Sequence, residues 1–314
     1  MLVDWELGFR GLFHALVERD EPAYERILAP ESERARALLD ELGRFRNLAT
    51  SPPISTFPPI LQDHERERAL AERDRAMGEL SEWYALSRVL DYLLLSFSPP
   101  LRGRPPGSRK ARQWRHASGE IAHGAFNIVS ASEYRRFAAA VGLEAIDPVA
   151  FSPIHSEIVE VVEDESVGDR IVLEDEIWPG LRFGELIVAR GGAVVRAARH
   201  VLAKPIAETS TLHATYWRSH RPTNDCSRGW GSNSQWKTIF RRDYLTATHR
   251  HYNVDGYFDV DGIVLRPLPL TAAAPSDLTR DQRIALVTHR CVVVGDDQHV
   301  NDRWVYDATY VERM

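Results

Sequence analysis

The hydrophobic pattern of this chain changes its period near Pro148, and this change restricts the fold more than any other feature. Before it, apolar residues recur at helical spacing over 4–19, 30–45 and 62–97. After it, short runs rich in Val and Ile, bounded by Gly and Pro, indicate strands. We therefore expect an α+β fold, with an N-terminal helical region followed by a mostly antiparallel β-rich half that carries the site.

Local signals mark the ends of several predicted elements. Ser130-Ala-Ser-Glu133 has the form of a capping box, and it introduces a short helix that ends at Gly142. A late helix is predicted from Thr279-x-x-Gln282 to about His289. A Gly191-Gly192 pair is interpreted as a hairpin turn. Strands are predicted over 154–162, 170–177, 183–189, 193–202, 291–294 and 304–311, with hairpin-like pieces over 252–265.

The domain organisation follows from composition along the chain. Residues 1–98 form the predicted helical region, and residues 119–314 form an α+β domain with an antiparallel sheet. Between them, residues 99–118 carry six Arg and Lys among Gly and Pro, so we interpret them as a basic loop or linker. Such a loop is either simply solvated or a contact for a phosphate-bearing partner.

Composition restricts the location and the partners. A membrane span needs about 20 apolar residues, and no run approaches that length. Asp4 and Glu6 stand where a signal peptide has basic residues. The net charge of −6 argues against a protein whose main task is to coat nucleic acid. The chain has only two cysteines and is large enough to fold without a disulfide framework. We expect a cytoplasmic protein without a membrane partner.

The stretch 213–256 is the best candidate for a recognition or catalytic surface. It is rich in Trp, Tyr, His and Arg and contains few aliphatic residues, whereas ordinary interiors are aliphatic. Within it, a Gly-flanked Trp loop offers aromatic planes and amide groups to a planar or polar substrate. The predicted substrate-binding residues of this loop are Trp230, Asn233, Gln235 and Trp236. The alternative is a structural loop whose Trp side chains fill the domain interior.

The segment after this loop predicts an anion contact. Arg242 can hold a carboxylate or phosphate in bidentate fashion, with Tyr244 beside it. Consecutive strand residues point to opposite faces, so Arg242 is expected on the side of Phe240 and Tyr244, and Arg241 on the side of Asp243. An ion pair between Arg241 and Asp243 is the structural alternative.

Two His-centred patterns suggest a metal. His155-Ser-Glu157 and His249-Arg-His251 both have the i, i+2 spacing that puts two side chains on one face of a strand. Together they can form a three-ligand site for Fe(II) or Zn(II), as in a non-heme iron oxygenase-like or zinc-dependent enzyme, with His155, Glu157, His249 and His251 as ligands. The alternative is a solvent-facing row of a sheet.

These observations favour an enzyme that acts on a small polar or anionic substrate, or on an amino-acid or peptide moiety. His155, Glu157 and His251 are the predicted catalytic residues. In a metal-free version, His155 or His251 is the general base and Glu157 orients it. The alternative is a non-enzymatic binding protein that contacts nucleic acid or a protein partner through the Arg/Trp-rich segment.

Overall fold

A computed structural model describes residues 3–18, 22–51, 53–54, 63–97, 128–208, 240–267, 278–289 and 308–314. The helices among them are α1 (Phe9–Glu18), α2 (Ala29–Glu41), α3 (Asp63–Leu93), α4 (Ala131–Val141), α5 (Lys204–Ala207) and α6 (Arg280–His289). A π-helical turn, Tyr24–Leu28, leads into α2. Short 3₁₀ turns lie at Trp5–Leu7, Gly43–Phe45, Leu48–Thr50, Leu94–Ser96 and Glu165–Val167.

The strands of the described residues form two sheets. They are β1 (Glu144–Ile146), β2 (Ser156–Glu163), β3 (Val172–Trp178), β4 (Gly180–Phe183), β5 (Leu186–Ala189), β6 (Gly191–Ala197), β7 (Asp243–Leu245), β8 (His249–Tyr252), β9 (Phe258–Asp259) and β10 (Ala308–Arg313). Seven of them form a sheet in the order β1-β4-β5-β7-β8-β10-β9, and three form a sheet in the order β2-β6-β3. The fold is therefore α+β, as predicted.

Most strand pairs are antiparallel, but the sheets are mixed. Within the described strands, β2–β6 and β9–β10 are parallel and the remaining pairs are antiparallel. Two of the passages between the sheets take a single residue, from β3 to β4 through Pro179 and from β5 to β6 through Arg190. Proline has no N–H for a ladder, so Pro179 suits the point where one ladder ends and the other begins.

Two sequence predictions of β structure are wrong. Gly191 and Gly192 begin strand β6 rather than forming a hairpin turn. The predicted strand 183–189 is two strands, because Gly184 adopts a φ of +61° between β4 and β5. Glycine populates that left-handed region at little cost, so the chain reverses there.

The helical region covers one face of the seven-stranded sheet. Trp83 of α3 is fully buried, with its ring centroid 5.5 Å from that of Phe183 and 6.1 Å from that of Phe240. The Phe240 backbone N–H donates to the Leu80 carbonyl of α3 at 3.0 Å. Leu186 and Tyr244 belong to the same cluster. This face and the helices thus share one core, and we call it the helical face.

Helix α6 covers the opposite face, which we call the α6 face. Val287 packs in a second cluster with Ile154, Ile187 and Tyr252. The three-stranded sheet has a separate small core that includes Val161. Among the described helices, none is long and apolar enough to cross a membrane.

Candidate functional site

Strand register assigns the predicted site residues of the sheet to its two faces. His251 pairs with Tyr244 of β7 and with Val311 of β10. Directly paired residues point the same way and neighbours along a strand alternate, so His249 and His251 lie on the helical face with Tyr244. Arg250 and Tyr252 point to the α6 face.

His155 belongs to the α6 face. It lies in the turn before β2, directly after Ile154, whose side chain packs with Tyr252 and Val287. The charged neighbours that lower its pKa are Arg250 and Arg190. The structure therefore places His155 and His251 on opposite sides of the sheet and does not bring them together.

The predicted ligands form no complete metal site by themselves. In the part of the chain that the structure describes, no group of three His, Cys, Asp or Glu side chains is placed to hold a metal ion. Glu157 is buried in β2, where its partner in the ladder is Gly192 of β6. Two other histidines that could complete a ligand set, His213 and His220, lie outside the described residues. An Fe(II) or Zn(II) site that uses them stays a prediction.

His155 is an imidazole held in its uncharged form. Its Nδ1 lies 2.9 Å from Ser156 Oγ, and Ser156 is buried. Burial, with the positive charges of Arg250 and Arg190, lowers the pKa of His155 to about 4. Ser156 thus fixes the ring, a role that the sequence assigned to Glu157. Because Nδ1 is engaged, Nε2 is the nitrogen that remains to accept a proton.

Tyr252 is a buried hydroxyl group beside the same two arginines. Its side chain is fully buried, and among the described residues its hydroxyl oxygen has no hydrogen-bond partner. Burial raises its pKa, so the group stays a protonated donor at neutral pH. The Tyr252 ring stacks against Tyr310 at 6.0 Å with an interplanar angle of 20°. A buried hydroxyl without a partner costs about 1–3 kcal/mol, which a bound ligand can recover.

Arg250 and Arg190 differ in exposure. Arg250 donates from Nη1 to Glu312 Oε2 at 2.9 Å and keeps 28% of its side chain exposed. Arg190 is buried and donates to Asp243 Oδ2 at 2.9 Å and to the Thr288 carbonyl at 2.6 Å. Arg250 is therefore the arginine that can reach a ligand from solvent, whereas Arg190 supplies fixed positive charge.

The end of α6 is tied to the sheet by two arginines. Arg241 donates to the Val287 carbonyl at 2.6 Å, in parallel with the Arg190 bond to Thr288. Both guanidinium groups also donate to Asp243, and the Arg241–Asp243 contact is the ion pair that the sequence analysis gave as the structural alternative. Positive charge at the C-terminus of a helix interacts favourably with the helix dipole. These contacts hold α6 against the sheet.

His289, the last residue of α6, adds a second uncharged imidazole. Its ring stacks on Phe151 with centroids 6.1 Å apart and an interplanar angle of 15°. Burial and the charge of Arg190 lower its pKa to about 4. His155, Arg190, Arg250, Tyr252 and His289 together form what we call the α6-face cluster.

Arg242 and Tyr244 occupy the helical face, as the predicted alternation requires. Arg242 is fully buried and donates from Nε and Nη2 to the two carboxylate oxygens of Asp255 at 2.8 and 2.6 Å. Its Nη1 donates to the hydroxyls of Ser51 and Tyr244, and its guanidinium lies 5.0 Å from the Phe45 ring centroid. In the described residues this arginine joins the sheet to the helical region.

The remaining predicted site residues cannot be placed. Trp230, Asn233, Gln235 and Trp236 lie outside the described residues, as do the basic loop 99–118 and Cys291–Val294. Their roles, and contact with nucleic acid or a protein partner through them, stay predictions.

Most of the α6-face cluster was missed by sequence reasoning. Arg250 lies inside the His249-Arg-His251 pattern, so strand alternation alone puts it on the face opposite to both histidines. Tyr252 shares that face by the same rule. Arg190 and His289 give no such local signal, because tertiary packing brings them together.

The comparisons with known proteins add no identity. No family model, no curated protein and no solved structure matches this chain.

Proposed function

We propose that this protein is an enzyme that binds a small anionic substrate at the α6-face cluster and uses His155 as a general base. The observation that carries the proposal is the half-buried His155, which is fixed by Ser156 and surrounded by arginine charge. A general base must be uncharged before it accepts a proton, and this imidazole stays uncharged at neutral pH.

The cluster offers complementary groups to an anion. Arg250 is partly exposed and supplies charged N–H donors, and the Tyr252 hydroxyl supplies a neutral donor. The Tyr252 hydroxyl is sealed from solvent in this structure, so a carboxylate or phosphate oxygen would accept from both groups after a local opening beside Arg250, and it would then satisfy the buried hydroxyl. The negative charge would also raise the pKa of His155 towards the operating pH, because it offsets the two arginines. Substrate binding thus makes the base stronger.

The metal-assisted version of the enzyme needs ligands outside the described residues, so the metal-free version has more support. Within the sheet, the two faces separate His155 from His251. A cytoplasmic location stays part of the proposal.

The test is thermal unfolding of the full chain with phosphate, oxalate and succinate, each compared with sodium chloride at the same ionic strength. A ligand at 100 times its Kd stabilises the folded state by about 2.7 kcal/mol, so at least one anion should raise the Tm. Arg250→Gln and Tyr252→Phe should each reduce the shift.

The matched control is Arg313→Gln. Arg313 follows Glu312 in β10 and pairs with His249, so it points to the helical face. Its loss should leave the anion-induced shift unchanged. The proposal is wrong if Arg250→Gln and Tyr252→Phe retain the full shift, or if no anion raises the Tm.

A further inference from the structure

His249 and His251 form a second pair of potential ligands that the proposed function does not use. They point to the helical face from strand β8, and their ring centroids lie 5.8 Å apart with an interplanar angle of 50°. The cluster of the proposed function lies on the other face. An inference from this pair is therefore independent of the proposed function.

The spacing of the two rings fits a shared transition-metal ion. A Zn–N bond of about 2.1 Å places a ring centroid roughly 3.2 Å from the metal, so two rings on one ion are at most about 6.4 Å apart. The observed 5.8 Å lies inside this limit. The two rings are therefore already as close together as two imidazole ligands of one ion.

A neighbouring hydroxyl group orients one of the two rings for metal binding. His249 Nδ1 lies 2.8 Å from Thr248 Oγ1, a contact that orients the ring and leaves Nε2 as the ligand atom. Hydrogen bonds of this kind to the second nitrogen are usual for metal-binding histidines.

Metal ions can reach the pair from solvent. Both histidines are half-buried, and Val311, which pairs with His251 and shares its face, is 51% exposed. Within the described residues, no third His, Cys, Asp or Glu joins the pair in a group that could hold a metal ion, so the pair supplies two protein ligands there. Water or an exchangeable ligand completes the coordination.

We propose that His249 and His251 form a two-imidazole site for a borderline transition-metal ion such as Zn²⁺ or Cu²⁺. Imidazole ligands suit both ions, and the Irving–Williams order makes Cu²⁺ the tighter binder.

The experiment is titration of the full chain, prepared without a histidine tag, with Cu²⁺ alone. Electron paramagnetic resonance should show one tight site with hyperfine coupling to two nitrogens. His249→Asn and His251→Asn should each weaken the affinity by at least about tenfold, since loss of even an outer-shell partner costs 10–100-fold. The control His200→Asn removes an exposed histidine paired with Asp169 and should not change the tight site.

Circular dichroism of each variant checks that it is folded, and Thr248→Ala provides a milder change that keeps both ligands. It should weaken binding less than either histidine variant does. The proposal is overturned if His249→Asn and His251→Asn bind Cu²⁺ as tightly as the unaltered chain, or if the tight site shows coupling to only one nitrogen.

Discussion

Two arginines that are close together in the sequence differ sharply in their exposure to solvent. Arg242 is fully buried with Asp255, Ser51 and Tyr244, whereas Arg250, eight residues later, keeps part of its side chain in solvent. Strand alternation predicts which residues share a face. It does not predict which face a helix covers, so the sequence could not separate the structural arginine from the one that can meet a ligand.

Because the ion pair of Arg242 is buried, replacing one partner should lower the unfolding free energy much more than replacing both. Arg242→Met removes the guanidinium partner of Asp255 and leaves it the Ile54 N–H, which we expect to cost about 3–5 kcal/mol of unfolding free energy. The double variant Arg242→Met, Asp255→Leu should recover much of this loss. Urea denaturation measures both.

The control for that pair is Arg250→Gln, which breaks the partly exposed pair with Glu312. This change should cost about 0–1 kcal/mol. If Arg242→Met and Arg250→Gln lower the unfolding free energy equally, burial does not govern the strength of these ion pairs.

The two lowered histidine pKa values predict how stability depends on pH. The ordinary pKa of 6.5 applies to His155 and His289 in the unfolded chain, whereas burial in the fold lowers the pKa of each to about 4. Between these values the unfolded state binds more protons. Stability is therefore fully present above pH 6.5 and falls as the pH drops towards 4.

Urea midpoints from pH 4 to 8 measure this dependence, which should be flatter in His155→Gln and His289→Gln. His200→Gln is the matched control, because Asp169 raises the pKa of His200 and its contribution has the opposite sign. Its stabilisation is present below pH 6.5 and is lost as the pH rises through the raised pKa. If stability falls as steeply towards pH 4 in both His155→Gln and His289→Gln as in the unaltered chain, the two histidines do not have lowered pKa values.

At the scale of elements, the sequence predicts best what local contacts determine. The Ser130–Glu133 capping box and the Thr279–Gln282 box are both present, and Gly142 ends α4 with a φ of +91°. The turn at Gly191-Gly192 was predicted wrongly. There the glycines serve tertiary packing, since a Cβ at Gly192 would lie about 2.5 Å from atoms of the Trp178 ring.

This close approach predicts that Gly192→Ala is destabilising. The buried Trp178 ring would have to move, and overpacking of this kind costs typically about 1–3 kcal/mol. Gly78→Ala is the matched control, because nothing lies within 4 Å of its Cβ position inside α3. That change should stabilise the helix by up to about 1 kcal/mol. Thermal unfolding distinguishes the two, and a neutral Gly192→Ala would contradict the packing.

Over the whole molecule, one sheet separates the two sites that we propose. Its helical face carries the core shared with α1 and α3, the Arg242 network and the histidine pair, and its α6 face carries His155 and Tyr252. The change of hydrophobic period predicted the two kinds of structure. Which residues meet across the sheet depends on register and strand order, which the sequence pattern does not contain.

The shared core predicts cooperative unfolding. Trp83 contacts sheet residues directly, so loss of the helices removes packing from the sheet. We expect the helical signal in far-ultraviolet circular dichroism and the Trp fluorescence to change at one urea midpoint. Two separated transitions would show that the helical region folds independently.

The central claim is that His155 is an uncharged base in a positively charged site. The most direct measurement is a pH titration of the histidine imidazoles by nuclear magnetic resonance, with the His155 signal assigned by its loss in His155→Gln. A half-buried His155 beside two arginines should titrate near pH 4. Titration at or above pH 6.5 would show that a carboxylate or bulk solvent surrounds the ring, and His155 would then not be an uncharged base among arginines.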